Sequence, residues 1–136
     1  MPHFMLDREV IVPPEYASRS CILVKYRLPL LPHCFVLCHE PQAGVPQASP
    51  PDLVAFFWSE AGRLALESAG NAETFMLIHS GASIRKRPNL HVHVFIVERR
   101  WQKSWLYTVL GAKNAALALY NLVSRTRQTP QTKELA

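Results

Sequence analysis

The chain predicts an α+β fold, an antiparallel sheet of about five strands with two helices. Short β-branched, apolar runs are set between turn residues, and two longer runs carry apolar residues at helical spacing. A proline-rich break separates the first strands from the first helix.

Arg19 to Tyr26 is rich in Ile, Leu, Val and Tyr, as a buried strand is. Pro29 and Pro32 punctuate the chain before a second apolar run, Cys34 to Cys38, so the two read as strand, turn and strand. Between Glu40 and Pro51 stand prolines at 41, 46, 50 and 51, with Gly44 and Ser49. Neither a helix interior nor a central strand accepts that composition, so it is a loop. Ser49 to Asp52 supplies helix-start chemistry, and Leu53, Phe56, Phe57, Ala61, Leu64 and Ser68 recur at helical spacing until Gly70 and Asn71. A helix is expected over 51–69. Thr74 to His79 and Leu90 to Val97 read as two further strands, and Ser104 to Arg125, free of proline, as a second helix.

At 136 residues the chain suits one domain, 1–136, with a polar tail over 126–136. Hydrophobic residues make up 49% and charged residues 18%, which excludes a disordered chain. The formal charge of +5 favours an anionic partner, and Arg85, Lys86, Arg87, Arg99, Arg100 and Lys103 crowd around one short segment. Cys21, Cys34 and Cys38 are odd in number and set among apolar residues, which reads as reduced cytoplasmic thiols. The start of the chain, with Asp7, Arg8 and Glu9, lacks the apolar middle of a signal peptide, and no run reaches the length of a membrane span.

The crowded segment is Pro88-Asn89-Leu90-His91-Val92-His93-Val94-Phe95. Strand alternation puts His91, His93, Phe95 and Val97 on one face and Val92, Val94, Ile96 and Glu98 on the other. An apolar back would hold the two imidazoles rigidly on the front.

This segment resembles the signature of the histidine-triad superfamily, His-x-His-x-His with apolar x, often preceded by proline. Aligning Pro88 with that proline puts Asn89 at the first histidine, His91 at the second and His93 at the third, as in bacterial members that carry an amide at the first position. Pro29-Leu30-Leu31-Pro32 before Phe35-Val36-Leu37 is similar to the family's Pro-Leu-x-Pro segment, and His79-Ser80-Gly81 stands where the family has Asn-x-Gly. The resemblance covers about 19–97. It implies a homodimer and a nucleotide-binding phosphohydrolase or nucleotidyl transferase that needs no cofactor or metal. His91 would attack a nucleotide α-phosphorus, His93 would act as the phosphate-contacting acid, and Asn89 would orient the phosphate. Arg85, Lys86 and Arg87 would neutralise phosphate charge, and His79 would approach the site from the neighbouring strand. A shifted alignment, with His91 first and His93 second, moves the nucleophile to His93.

Two other readings stand beside this one. The same fold would bind a nucleotide or phosphorylated small molecule without turning it over, since the triad is incomplete. Alternatively, His91-x-His93 followed by Glu98 partly resembles the first metal motif of cupins, although Glu98 has the wrong strand parity without a bulge. Cys34 and Cys38 point away from His33 and His39 by the same parity, which speaks against a zinc cluster there. Nucleic acid and membrane are not expected partners.

Overall fold

The computed structural model describes residues 5–44, 49–79 and 89–126. Its elements are β1 (Leu6–Ile11), α1 (Pro14–Ala17), β2 (Cys21–Leu28), β3 (Leu31–His39), α2 (Pro50–Ala69), β4 (Phe75–His79), β5 (His91–Ile96) and α3 (Arg100–Thr126). The strands form one antiparallel sheet in the order β1-β2-β3-β5-β4. The chain divides into two compact units, 1–102 with the sheet, α1 and α2, and 103–136 with most of α3.

The expected α+β class with a five-stranded antiparallel sheet is what the chain adopts. Two elements lie outside the expectation. The single turn α1 adds a third helix, started by Pro14 at its first position. The first strand, β1, is built from Leu-Asp-Arg-Glu-Val-Ile and is exposed along nearly its whole length. It forms an edge, and its ladder with β2 is broken by a bulge between Leu6 and Glu9, where Asp7 has φ 51°. Charges and a bulge are the ordinary protection of a free sheet edge.

α2 forms where Ser49 and the two prolines start it. The Ser49 hydroxyl accepts from the Asp52 N–H at 3.4 Å, Pro50 and Pro51 occupy the first turn, and Gly70 at φ 72° closes the helix in the left-handed cap. Leu53, Phe57, Ala61, Leu64 and Ala65 make its buried stripe. They pack on Cys21, Leu23, Phe35, Leu37, Val92, Val94 and Ile96, which fill one face of the sheet. Each large side chain so buried contributes about 1.5–3 kcal/mol.

α1 is fastened to α2 by a polar contact. The Tyr16 hydroxyl donates to Glu60 Oε2 at 2.7 Å, and Arg63 grips the same carboxylate while also reaching Glu67. α3 begins four residues earlier than the apolar period suggests, because Gln102 turns back and its Oε1 accepts from the main-chain N–H of Glu98 and Arg99 at 2.8 and 3.0 Å. That contact is the glutamine half of a helix-start box, made from the third helical position. Among the described residues no helix is long and apolar enough to cross a membrane.

Candidate functional site

β5 carries the two histidines, and its neighbours decide what surrounds them. On the α2 side Val92, Val94 and Ile96 are buried, which anchors the strand. On the opposite face His91 and His93 are half-buried neighbours with ring centroids 5.5 Å apart, and Phe95 stacks nearly parallel to His93 at 6.2 Å. Two imidazoles therefore stand side by side on a strand whose back is locked into the core.

The ladder with β3 pairs Cys38 with His91, Val36 with His93 and Cys34 with Phe95. The main-chain N–H of His39 donates to Leu90 O at 2.9 Å, so 39 and 90 stand at a hydrogen-bonded position of the ladder. Positions 38 and 91, and 36 and 93, then fall in the alternate pairs, whose side chains lie closest. Cys38 thus flanks His91 and Val36 flanks His93, while Ile78 of β4 lies across from His93 on its other side. Sequence reading places Cys38 in a strand but not beside His91, because pairing across strands far apart in the chain leaves no local pattern.

The environment of His91 fixes its ring. Nδ1 lies 3.2 Å from the main-chain oxygen of Asn89. A carbonyl oxygen only accepts, so Nδ1 is the nitrogen that carries the hydrogen here, and in the neutral ring the lone pair is on Nε2. His79 behaves likewise: its Nδ1 lies 3.3 Å from the main-chain oxygen of His91. It stands across from Val92, on the α2 side of the sheet, so its contact with the site is to the main chain of His91. Asn89 is exposed just ahead of β5 and meets His91 through its carbonyl. Arg85, Lys86 and Arg87 lie outside the described residues, as do Ser80, Gly81 and Pro88.

Glu98 lies beyond the end of β5, exposed, with its N–H engaged by Gln102. Among the described residues no group of three His, Cys, Asp or Glu is placed to hold a metal ion. The three cysteines are free thiols buried in the sheet. Burial pushes Cys21 up to about 11 and Cys34 up to about 12, so both are neutral at ordinary pH. His39, on the α2 side, is 7% exposed, and its Nε2 has no hydrogen-bond partner among the described residues.

Comparison with protein families, curated proteins and solved structures returns no match for this chain.

Proposed function

We propose that the protein is a nucleotide phosphohydrolase or nucleotidyl transferase of the histidine-triad kind, with His91 as nucleophile. The observation that carries this reading is the contact between His91 Nδ1 and the Asn89 carbonyl, which places the hydrogen on Nδ1 and makes Nε2 the nitrogen that would bear the lone pair of the neutral ring. A neutral imidazole nitrogen is a good nucleophile near neutral pH.

In this reading Nε2 of His91 attacks the α-phosphorus of a bound nucleotide. The N–P bond forms, the bond from phosphorus to the leaving group breaks, and the leaving group departs with that electron pair and takes up a proton. His93, 5.5 Å away ring to ring, donates to a phosphate oxygen from its charged form. Water or another acceptor then attacks the same phosphorus, the N–P bond breaks, and His91 is regenerated. The basic run Arg85, Lys86 and Arg87, directly before Pro88-Asn89, would supply the positive charge that such a substrate needs. A cytoplasmic homodimer belongs to the same reading.

Asn89 favours a second reading. It aligns with the position at which a third imidazole would stand, and an amide cannot change its protonation state. A protein with this site would then bind a nucleotide or phosphorylated small molecule without turning it over.

Intact-mass analysis after rapid alkaline quenching, with an adenosine phosphoramidate and with dinucleotides, separates these. The catalytic reading expects a nucleotidyl adduct that disappears in His91→Asn and persists in His93→Asn. Loss only in His93→Asn would move the nucleophile to His93. Tight nucleotide binding by calorimetry with neither adduct nor turnover would establish the binding protein.

A further inference from the structure

Among the described residues, Nε2 of His39 is the one buried side-chain nitrogen or oxygen without a hydrogen-bond partner. The residue closes β3, is 7% exposed and takes no part in the histidine chemistry on the opposite face of the sheet. An unpaired buried group of this kind points to a bound water or ion.

The strand register says what stands beside it. His39 pairs with Cys21 of β2. The Glu40 N–H donates to Ser20 O at 2.7 Å, and the His39 N–H turns the other way, to Leu90 O at 2.9 Å. Positions 21 and 39 therefore form a pair without mutual main-chain hydrogen bonds, the kind whose side chains lie closest, with Cβ atoms about 4.5–5.5 Å apart. Cys21 is 1% exposed and belongs to the core under α2, so thiol and imidazole share that face. Leu37, two residues back along β3, and Leu90, across from His39, are apolar neighbours packed in the same core.

Charge decides which ligand fits there. Burial pushes the Cys21 thiol up to about 11, so it is neutral until a metal ion takes the place of its proton. A monovalent ion with one thiolate and one neutral imidazole leaves no net charge among apolar side chains, whereas a divalent ion leaves one positive charge uncompensated. Zinc also asks for three or four protein ligands, and among the described residues no group of three His, Cys, Asp or Glu could hold an ion. Cuprous ion prefers sulfur, accepts imidazole and is satisfied by two ligands. What is lost is a weak hydrogen bond, from Cys21 Sγ to Arg19 O at 3.4 Å.

We propose that Cys21 Sγ and His39 Nε2 together bind one cuprous ion. The S–H bond breaks, the S–Cu bond forms, the proton leaves to solvent, and the copper stays monovalent. The ion ties the start of β2 to the end of β3. This inference is independent of the role given to His91.

The test is oxygen-free transfer of Cu(I) to the full chain from its coloured complex with bathocuproine disulfonate. The wild type is expected to withdraw one equivalent, and X-ray absorption should show one sulfur and one nitrogen around the copper. Cys21→Ala and His39→Phe should each weaken binding by more than about 100-fold, beyond what loss of a merely supporting group costs. Cys34→Ala, Cys38→Ala and His91→Asn should keep it. One equivalent of Cu(I) should also raise the thermal midpoint of the wild type and of Cys38→Ala, but not that of Cys21→Ala. A wild type that leaves the copper with the chelator overturns the proposal and gives Nε2 to water. Binding that survives Cys21→Ala, or coordination by sulfur alone in the wild type, overturns it as well. Loss in Cys38→Ala or His91→Asn would do the same and move the ion to the opposite face of the sheet.

Discussion

His91 turns its Nδ1 onto the main-chain oxygen of Asn89, 3.2 Å away, so the ring is oriented by the backbone of a residue whose side chain lies exposed. A carbonyl held by the start of a strand is a firmer support than a mobile side chain, since it survives any substitution that keeps the backbone path. The side chain of Asn89 is thereby freed for a different task.

That separation makes the two functions of Asn89 testable. Asn89→Ala should preserve formation of the His91 adduct to within a few-fold, because the carbonyl stays in place. Asn89→His should speed turnover of substrates with poor leaving groups by about 100-fold, the lower end of what a positioned general acid contributes. Single-turnover kinetics with an adenosine phosphoramidate measure both. A collapse of adduct formation in Asn89→Ala would mean that the amide, not the carbonyl, holds the ring.

The contact of Tyr16 with Glu60 gives the fold a dependence on pH. Burial pushes the Glu60 carboxyl up, but hydrogen bonds from Arg63 and Tyr16 outweigh it and hold the group below its usual 4.5. Its folded form therefore binds a proton less readily than the unfolded chain does, so the contribution is complete above the ordinary carboxylate range and is lost as pH falls through the folded value. Urea midpoints between pH 6 and pH 3 should fall, and Glu60→Gln should flatten part of that fall. Tyr16→Phe should cost about 1–2 kcal/mol at neutral pH, since it removes a hydrogen bond to a charged group from a tyrosine that is 1% exposed.

Much of this arrangement is legible in the sequence where one rule acts alone. The helical spacing of Leu53, Phe57, Ala61 and Leu64 and the Ser49-Pro50-Pro51 start give α2 to within one residue. The alternation from His91 to Ile96 gives β5 and its two faces. β1 is not legible, because Asp7, Arg8 and Glu9 are chosen to guard an edge and so erase the apolar alternation that marks strands. Cys38 beside His91 is hidden for another reason: it depends on the β3 to β5 register, and a shift of one residue would have put His39 there instead. The short α1 is equally obscure, since its one buried residue, Tyr16, leaves no periodicity.

The hairpin between β2 and β3 contains a removable strain. Its turn is Pro29-Leu30, and Leu30 sits at φ 62° with its side chain 66% exposed. Proline first and a left-handed residue second is the type II pattern, which favours glycine at the second place. Leu30→Gly should therefore raise stability by about 1 kcal/mol, read as a higher urea midpoint with unchanged slope, because little packing is lost. A lower midpoint would show that the Leu30 side chain holds the turn through contacts that its exposure does not suggest.

The thiols offer a check on the sheet itself. Cys21 and Cys34 are 1% and 0% exposed, and burial raises them to about 11 and about 12. At pH 8 a group at about 11 is ionised roughly one time in a thousand, and only the thiolate reacts. In the native protein both should resist iodoacetamide for hours and then label rapidly in urea, as peptide mass analysis can follow. Cys38 tests the neighbourhood of His91 in the same experiment. It is 6% exposed and faces the histidines, whereas Cys21 faces α2, so local opening of the site uncovers Cys38 before Cys21. Labelling of Cys38 should therefore precede that of Cys21, and a nucleotide bound at His91 should slow it several-fold. Equal labelling of all three thiols in the native state would mean that the β3 to β5 register places no cysteine beside His91.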